Sequence, residues 1–145
     1  MSQEPFEPRL VGFLCTWCSY TGADLAGTAR MTYPSNLRII RVMCSGRVDP
    51  QFVLKAFEGG SDGVLISGCH PGDCHYGTGN YFARRKLAVA RRLLETVGIS
   101  PDRMYFTWVS AAEGRKFSAV CSEFTERLKQ LGGTEKTAAR EAVSR

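Results

Sequence analysis

The sequence predicts an α/β fold with a doubly wound, mostly parallel four-stranded sheet and helices on both of its faces. Two observations predict this fold. Four short apolar runs rich in strand-forming residues alternate with segments of helical spacing, which is typical of parallel βα units. Cysteines also close three of these runs, at Cys15, Cys44 and Cys69, as residues at the carboxyl edge of one sheet would. With right-handed crossovers the simplest strand order is 2-1-3-4, the flavodoxin-like arrangement.

The first βα unit follows a polar arm at residues 1–8. Its strand is expected at about residues 9–15, where the apolar run that starts at Leu10 ends in a cysteine. The helix is expected at about residues 18–31, because alanines recur along it every three residues.

The second unit has a strand at about residues 37–44, an alternation of aliphatic and basic residues. Asp49 and Pro50 open the following helix, since aspartate is a favoured N-cap and proline a favoured first helical residue. Gly59 and Gly60 end that helix.

The third strand is expected at about residues 62–68 and leads through a glycine-rich loop, Gly72 to Gly79, into a helix at about residues 80–97. Apolar residues at helical spacing give this helix one face for burial, and Gly98 ends it. Those apolar residues are Ala83, Leu87, Ala90, Leu94 and Val97.

The fourth strand, at about residues 103–109, precedes Ser110-Ala111-Ala112-Glu113, which has the spacing of a capping box. A last amphipathic helix follows. Cys121 lies on its apolar stripe, so we expect this cysteine to be an inert core residue. The polar, alanine-rich tail at residues 132–145 is expected to be a short docking helix or a disordered segment.

Length and composition predict one compact domain, at residues 9–131. A chain of 145 residues with 43% hydrophobic residues can bury a core without disulfides. Neither a signal peptide nor a membrane-spanning stretch is recognisable, so we expect a cytoplasmic location. Thiols stay reduced there, which favours ligand, redox or core roles for the six cysteines. The net charge of +5 is mild and no nucleic-acid-binding motif is present.

Five of the cysteines are expected to meet at one edge of the sheet. Cys15, Cys44 and Cys69 would end three neighbouring strands, spaced about 5 Å apart in the pairing direction. Cys18 and Cys74 follow in the adjoining loops. Thiols that converge in this way suggest a bound metal centre.

Four interpretations of these thiols remain open from the residues alone. Cys15 and Cys18 have the spacing of a thiol–disulfide redox pair at a helix N-terminus. A structural zinc ion is the second possibility, although a domain with a sheet core hardly needs one. The third is an iron–sulfur cluster, whose standard ferredoxin spacings this chain does not match. The fourth is that the thiols are merely buried small residues at strand ends.

The surrounding residues favour the iron–sulfur interpretation. The glycine-rich loop offers backbone N–H groups that can point at cluster sulfurs and so influence the reduction potential. His70 and His75 in this loop can donate hydrogen bonds around a cluster or, less readily, ligate it. Three aromatic residues are expected to pack over the site and limit solvent: Trp17, Tyr20 and Tyr76.

With these residues in view, the sequence resembles a known family, the delta subunit (the iron–sulfur subunit) of the methyl-viologen-reducing, F420-non-reducing hydrogenase. The resemblance covers about residues 9–131, and its most specific part is the loop motif from Gly68 to Tyr76. The segments that carry it are Phe13-Leu14-Cys15-Thr16-Trp17-Cys18, Val42-Met43-Cys44-Ser45-Gly46-Arg47-Val48, Gly68-Cys69-His70-Pro71-Gly72-Asp73-Cys74-His75-Tyr76 and Ala112-Glu113-Gly114.

The resemblance implies a small, non-catalytic electron carrier that holds one 2Fe-2S cluster. Such proteins relay electrons from a nickel–iron hydrogenase or a formate dehydrogenase to the FAD-containing subunit of heterodisulfide reductase. In methanogenesis this assembly performs flavin-based electron bifurcation. The family's five cysteines match Cys15, Cys18, Cys44, Cys69 and Cys74, one thiol more than a four-cysteine cluster requires. The three that end strands are the safest ligands, and Cys18 and Cys74 compete for the fourth place.

The third helix also carries four arginines, Arg84, Arg85, Arg91 and Arg92, expected on an outward ridge. Such a ridge is either a solvated face or a docking surface for an acidic partner protein.

Overall fold

The computed structural model describes residues 7–31 and 36–133, so that residues 1–6 of the expected arm and residues 134–145 of the expected tail lie outside the described residues. Four strands alternate with four α-helices along the chain. They are β1 (Leu10–Cys15), α1 (Ser19–Thr28), β2 (Leu37–Val42), α2 (Pro50–Glu58), β3 (Gly63–Gly68), α3 (Gly79–Thr96), β4 (Met104–Trp108) and α4 (Gly114–Leu131). Short 3₁₀ turns at Ser45–Arg47 and Pro101–Arg103 precede α2 and β4.

The four strands form one parallel sheet in the order β2-β1-β3-β4, so the expected fold class and strand order are confirmed. Because all four strands run the same way, the loops that follow them meet at a single carboxyl edge. The register aligns β1 with both neighbours: Leu10 lies opposite Leu37 of β2 and opposite Gly63 of β3.

Helices cover both faces of the sheet. Leu14 of β1 packs with Ala26 of α1 and Phe117 of α4 on one face. Phe13, the adjacent residue of β1, packs on the other face with Val53 of α2 and Leu87 of α3. Successive side chains of a strand point to opposite faces, so a strand covered on both sides must be apolar at nearly every position. The strand β3 meets this condition, since all six of its residues are buried.

The helix ends agree with expectation at α2 and depart from it at α1 and α4. Asp49 caps α2, and its Oδ1 accepts a hydrogen bond of 2.9 Å from the N–H of Gln51. The helix α1 ends at Thr28 rather than at residue 31, because Arg30 adopts a φ of 55°, a left-handed conformation that no α-helix continues.

The expected capping box forms only in part. Glu113 Oε1 accepts a hydrogen bond of 2.9 Å from the N–H of Ser110, as its position in a capping box predicts. The helix α4 nevertheless begins at Gly114, so residues 110–113 are a turn in front of the helix and not its first turn. Within the described ranges, 7–31 and 36–133, no helix combines the length and apolar character needed to cross a membrane.

Candidate metal centre

Three cysteines come together in the interior of the carboxyl edge. Cys15 ends β1, Cys69 follows β3, and Cys18 stands immediately before α1. Their three sulfurs lie within 4.8 Å of one another, and those of Cys15 and Cys69 are 3.9 Å apart. All three side chains are buried. We call these residues the triad.

The other two expected cysteines form a pair beside the triad. The sulfurs of Cys44 and Cys74 lie 3.9 Å apart, and both side chains are half-buried. The strand ends alone would group Cys44 with Cys15 and Cys69. The structure instead groups Cys44 with Cys74, because β2 ends at Val42 and a 3₁₀ turn begins at Ser45, directly after Cys44. In that turn the Cys44 sulfur accepts the N–H of Gly46, at 3.4 Å.

Glycines make room for the pair. A Cβ on Gly79 would overlap the Cys44 sulfur and would lie 3.2 Å from that of Cys74. A Cβ on Gly46 would lie only 2.6 Å from the carbonyl oxygen of Gly79, so these two backbones approach each other more closely than side chains would permit. The glycine-rich loop therefore forms a cradle around two thiols.

Within the triad, one thiol is favoured as the thiolate. The Cys18 thiol donates to the Cys15 sulfur, and this hydrogen bond, together with the N–H groups of Trp17 and Cys18, lowers the pKa of Cys15 to about 6 although burial opposes it. The same hydrogen bond and burial raise the pKa of Cys18. Burial raises the pKa of Cys69.

In the Cys44–Cys74 pair, too, one thiol has a raised pKa and the other a lowered pKa. Burial raises the pKa of Cys44 to about 11. Burial also acts on Cys74, but the N–H groups of Tyr76, Asn80 and Gly79 and the thiol of Cys44 outweigh it, and the pKa of Cys74 is lowered. Gly79 and Asn80 are the first two residues of α3, so Cys74 lies at a helix N-terminus, where free N–H groups and the helix dipole stabilise an anion.

A buried hydroxyl pair lies next to the triad. The Ser19 and Ser67 hydroxyls are 2.8 Å apart, and that of Ser19 is also 3.5 Å from the Cys18 sulfur and donates to the carbonyl of Val109 at 3.2 Å. These contacts connect the ends of β3 and β4 with the start of α1 and so set the position of Cys18. Sequence reasoning missed both serines. The signal for Ser67 was a polar residue inside the apolar run of β3.

Asn80 was also missed. It is 2% exposed, and its side-chain amide donates hydrogen bonds to the carbonyls of Cys69 and His70, at 3.1 and 2.9 Å. The signal available in the sequence was a polar residue at a position of the α3 stripe whose other members are apolar.

The two histidines lie around the thiols, and neither belongs to the triad. His70 Nε2 contacts Glu113 Oε1. The N–H of Ser110, together with His70, lowers the pKa of Glu113 to about 2. In the part of the chain that the structure describes, the one group of three or more potential ligand atoms contains cysteine sulfurs alone. The geometry therefore gives no support to ligation by histidine.

An aromatic cover connects the loops after β1 and β3. The ring of Trp17 stacks on that of His75 at a centroid distance of 3.8 Å, and its Nε1 donates to the hydroxyl of Tyr76 at 3.2 Å. Trp17 and Tyr76 thus link these two cysteine-bearing loops, and both side chains remain exposed. Tyr20 does not join them: it packs against the core between α1 and the sheet, with the Arg41 guanidinium over its ring.

The sixth cysteine is part of the core, as expected. Cys121 is 3% exposed and packs in the cluster that contains Phe117 and Phe124. Burial raises its pKa to about 12, so this thiol stays protonated and unreactive at neutral pH.

The donor set fits a thiolate-bound metal. Tetrahedral coordination with metal–sulfur bonds of about 2.3 Å separates sulfur ligands by about 3.8 Å. The Cys15–Cys69 and Cys44–Cys74 separations are both 3.9 Å. Thr16, which follows Cys15, also has a buried hydroxyl without a hydrogen-bond partner among the described residues, and a hydroxyl is a suitable donor to a sulfur ligand.

A family model matches residues 10–132, the model of the delta subunit of methyl-viologen-reducing hydrogenase. This match spans every strand and helix of the described fold and all five cysteines at the carboxyl edge.

Curated relatives agree with the family model. An iron–sulfur subunit of the vhc F420-non-reducing hydrogenase of Methanococcus voltae is 51% identical over 129 residues, which are 89% of this chain and 90% of the relative. The corresponding iron–sulfur subunit of the F420-non-reducing hydrogenase of Archaeoglobus profundus is 46% identical over 91% of this chain and 96% of the relative.

A third relative is much longer than this chain. It is one of the subunits of the ferredoxin/F420H2-dependent CoB-CoM heterodisulfide reductase of Methanosarcina acetivorans, 47% identical over 125 residues, which are 86% of this chain but 16% of the relative. Since the family model and the two hydrogenase relatives cover nearly the whole fold, this chain belongs to the delta-subunit family of methyl-viologen-reducing hydrogenases.

Proposed function

We propose that this chain is an electron-transfer subunit that holds one 2Fe-2S cluster. In this role it relays electrons from a nickel–iron hydrogenase or a formate dehydrogenase to the FAD-containing subunit of heterodisulfide reductase. When bound, the cluster supplies a centre that accepts and returns one electron at a time. The protein itself performs no bond chemistry; it holds the ligands, limits solvent and brings the site to a surface that partners can reach.

The observation that carries this proposal is that the five thiols fall into two groups. Each group contains two sulfurs 3.9 Å apart, a distance that suits two ligands of one metal ion. A 2Fe-2S cluster takes four cysteine thiolates, two on each iron. We assign Cys44 and Cys74 to one iron, and Cys15 and Cys69 to the other. Cys18 is then the additional thiol, because its sulfur already contacts the Ser19 hydroxyl.

The names of the relatives support partners of the hydrogenase and heterodisulfide reductase kind. Two relatives are called subunits of a hydrogenase, and the third is named as part of a heterodisulfide reductase. In that third protein a segment like this chain is part of one longer polypeptide. Covalent linkage keeps that segment and the rest of the heterodisulfide reductase subunit at high effective concentration. The linkage supports contact between this chain and a separate heterodisulfide reductase subunit. In the proposed role, the chain takes part in flavin-based electron bifurcation in the cytoplasm, as a component of methanogenesis-type metabolism.

Anaerobic purification tests the cluster directly. We expect a brown protein with about two irons and two acid-labile sulfides per chain, reducible by dithionite to a species that EPR detects. Single serine substitutions of Cys15, Cys44, Cys69 and Cys74 should each abolish or strongly change the EPR signal, whereas Cys18→Ser should retain it. Iron below one atom per chain in the anaerobic wild-type protein would contradict the proposal.

A zinc-stabilised scaffold is the second candidate, because three buried thiols within 4.8 Å also suit a tetrahedral zinc ion. This candidate leaves the Cys44–Cys74 pair without a role. Stoichiometric zinc without sulfide, in a colourless protein, would favour it.

The thiol–disulfide alternative has support in the lowered pKa of Cys15, about 6. It conflicts with burial, since Cys15 is 1% and Cys18 7% exposed, and the disulfide of a protein substrate must reach a sulfur to exchange with it. Turnover of a disulfide substrate by the isolated chain would favour this alternative.

A further inference from the structure

The loop that carries Cys74 is built from short turns, in which the N–H groups of Asp73, Gly77 and Thr78 donate to the carbonyls of His70, Cys74 and Tyr76. It runs from His70 to Thr78 between β3 and α3, and most of its residues are exposed. Two of its glycines, Gly72 and Gly77, have φ values of 90° and 86°, conformations in which side-chain-bearing residues are strained. Each of these turns spans three residues or fewer, so none of their hydrogen bonds connects Cys69 to Cys74.

Asn80 occupies a position in α3 where an apolar residue would be ordinary. It belongs to the buried stripe of the helix, which it shares with Ala83 and Leu87. Asparagine has a low helix propensity, and burial of its amide costs free energy unless the amide is hydrogen-bonded. The position therefore needs an explanation in terms of its hydrogen bonds.

The side chain of Asn80 holds the beginning of the loop. Both donors of its Nδ2 group are used, on the carbonyls of Cys69 and His70, at 3.1 and 2.9 Å. These two hydrogen bonds connect the triad segment to the first turn of α3, across 11 and 10 residues of sequence.

The backbone of Asn80 holds the end of the loop. The N–H groups of Asn80 and Gly79 help to lower the pKa of Cys74, and Gly79, the residue before Asn80, packs against the Cys44 sulfur. Asn80 therefore binds the backbone of Cys69 and His70 through its side chain, and in the chain it directly follows Gly79, which lies against the pair.

We propose that Asn80 is a positioning residue that sets the separation between the triad and the Cys44–Cys74 pair. This inference depends on the proposed function in one respect, that a metal centre bridges the two groups. Removal of the amide leaves both groups of thiols intact but lets the beginning of the loop move relative to α3, so that the four proposed ligands no longer keep one geometry.

The experiment compares wild-type protein with Asn80→Ala and with a matched control, Leu87→Ala. Leu87 is 2% exposed on the same stripe of α3 and packs in the core cluster that contains Phe13 and Val53, so its truncation opens a core cavity. For each protein we would measure bound metal, the rate of metal transfer to a chelator, the EPR line width after reduction, and the unfolding midpoint.

We expect Asn80→Ala to bind its metal about ten- to 100-fold more weakly, the range found for residues that orient metal ligands, to release it correspondingly faster, and to give a broadened EPR signal. Leu87→Ala should lower the unfolding midpoint at least as much, with wild-type metal release and line width. If Asn80→Ala does not fold, Asn80→Ser, which keeps a polar group but cannot reach both carbonyls, takes its place.

Three results would each overturn one of two statements. Wild-type metal release and line width in the Asn80 variants would overturn the positioning role. Metal release that is equally fast in Leu87→Ala would also overturn it, since general destabilisation would then explain the effect. A wild-type protein that holds zinc would overturn the proposed function, while the comparison of release rates would still decide the role of Asn80.

Discussion

At the scale of single residues, the tightest steric constraint of the site belongs to Gly79. Its Cα hydrogen faces the Cys44 sulfur, where a methyl group would overlap that atom. We therefore predict that Gly79→Ala displaces Cys44 from Cys74 and accelerates metal release by about tenfold or more. The measurement is iron and sulfide content, followed by the rate of iron transfer to a chelator.

Gly27→Ala is the control for that substitution. Gly27 lies in α1, and a Cβ there meets no atom within 4 Å. Alanine in a helix is about 0.5–1 kcal/mol more favourable than glycine, so this variant should keep its metal and be unchanged or more stable. Equal metal loss in both variants would show that the Gly79 cradle is not the cause.

Cys121 provides a second prediction at this scale. Its sulfur is buried in the core that α4 forms with the sheet, so Cys121→Ala should lower the free energy of unfolding by about 1 kcal/mol. The EPR signal and the iron content should stay at wild-type values. Loss of the cluster in this variant would mean that Cys121 is connected to the site in a way that the structure does not show.

The sequence predicted which cysteines meet but not how they group. Strand ends alone place Cys15, Cys44 and Cys69 at one edge, because parallel strands share their direction. Whether Cys44 faces the triad or Cys74 depends on the backbone of two loops and on the contact between Gly46 and Gly79. Such loop geometry has no periodic signal in a sequence, and the partners of Asn80 escaped prediction for the same reason.

At the scale of elements, α3 connects the site to the surface. Its first turn contacts the pair, and its buried stripe packs on β3 and β4. Since neighbouring helical residues point about 100° apart, the four arginines form two ridges and not one. Arg85 and Arg92 are exposed opposite the buried stripe. Arg84 and Arg91 share the other ridge, from which Arg91 donates to the carbonyl of Met104 at 3.5 Å.

The outer ridge gives a prediction about assembly. Exposed apolar side chains on the same helix, among them Phe82 at 51% and Val89 at 55% exposure, adjoin Arg85 and Arg92. A basic ridge beside apolar side chains is complementary to an acidic partner surface with an apolar centre. Charge reversal of Arg85 and Arg92 to glutamate should therefore weaken co-purification with the partner proteins, and less strongly at high salt than at low salt.

The matched control for this prediction is charge reversal of Lys55 and Lys129, exposed lysines on α2 and α4. It produces the same change in net charge on other surfaces. If the ridge is only a solvated face, both double variants should assemble as the wild-type protein does.

Elements whose ends have a strong local cause were predicted well. The helix α2 has an aspartate cap, a proline and a terminal glycine pair, and its start was correct. The capping-box spacing placed the start of α4 three residues before its observed first residue, Gly114. Glu113 accepts a hydrogen bond from the N–H of Ser110, as in a capping box, but it also contacts His70. That second contact connects residues 43 positions apart, which no local pattern predicts.

At the scale of the whole molecule, the fold gathers its potential ligands in one place. The last residue of β1 and the loops after β1, β2 and β3 supply the five thiols. The loop after β4 supplies Glu113, which contacts His70 next to Cys69. Among the described residues, the main cluster of reactive side chains consists of the five cysteines together with Glu113 and His70. Such an arrangement suits a carrier, whose task requires a held centre and surfaces for contact.

The last prediction concerns that task in the intact assembly. The isolated chain, if it is a carrier, should accept electrons from dithionite but should neither oxidise hydrogen nor reduce a disulfide. In the assembly, we would replace Cys44 and Cys74 by serine, since both lie on the half-exposed side of the site and leave the triad and the core untouched.

We expect the hydrogenase or formate dehydrogenase in that variant assembly to reduce an artificial dye at the wild-type rate. Reduction of the flavin of heterodisulfide reductase by the physiological donor should stop, because electrons then have no centre between the two enzymes. The Cys121→Ala assembly, which changes a thiol in the core, should behave as wild type in both assays. If the flavin is still reduced at full rate in the Cys44/Cys74 variant, electrons take another route, and this protein holds its partners together without conducting between them.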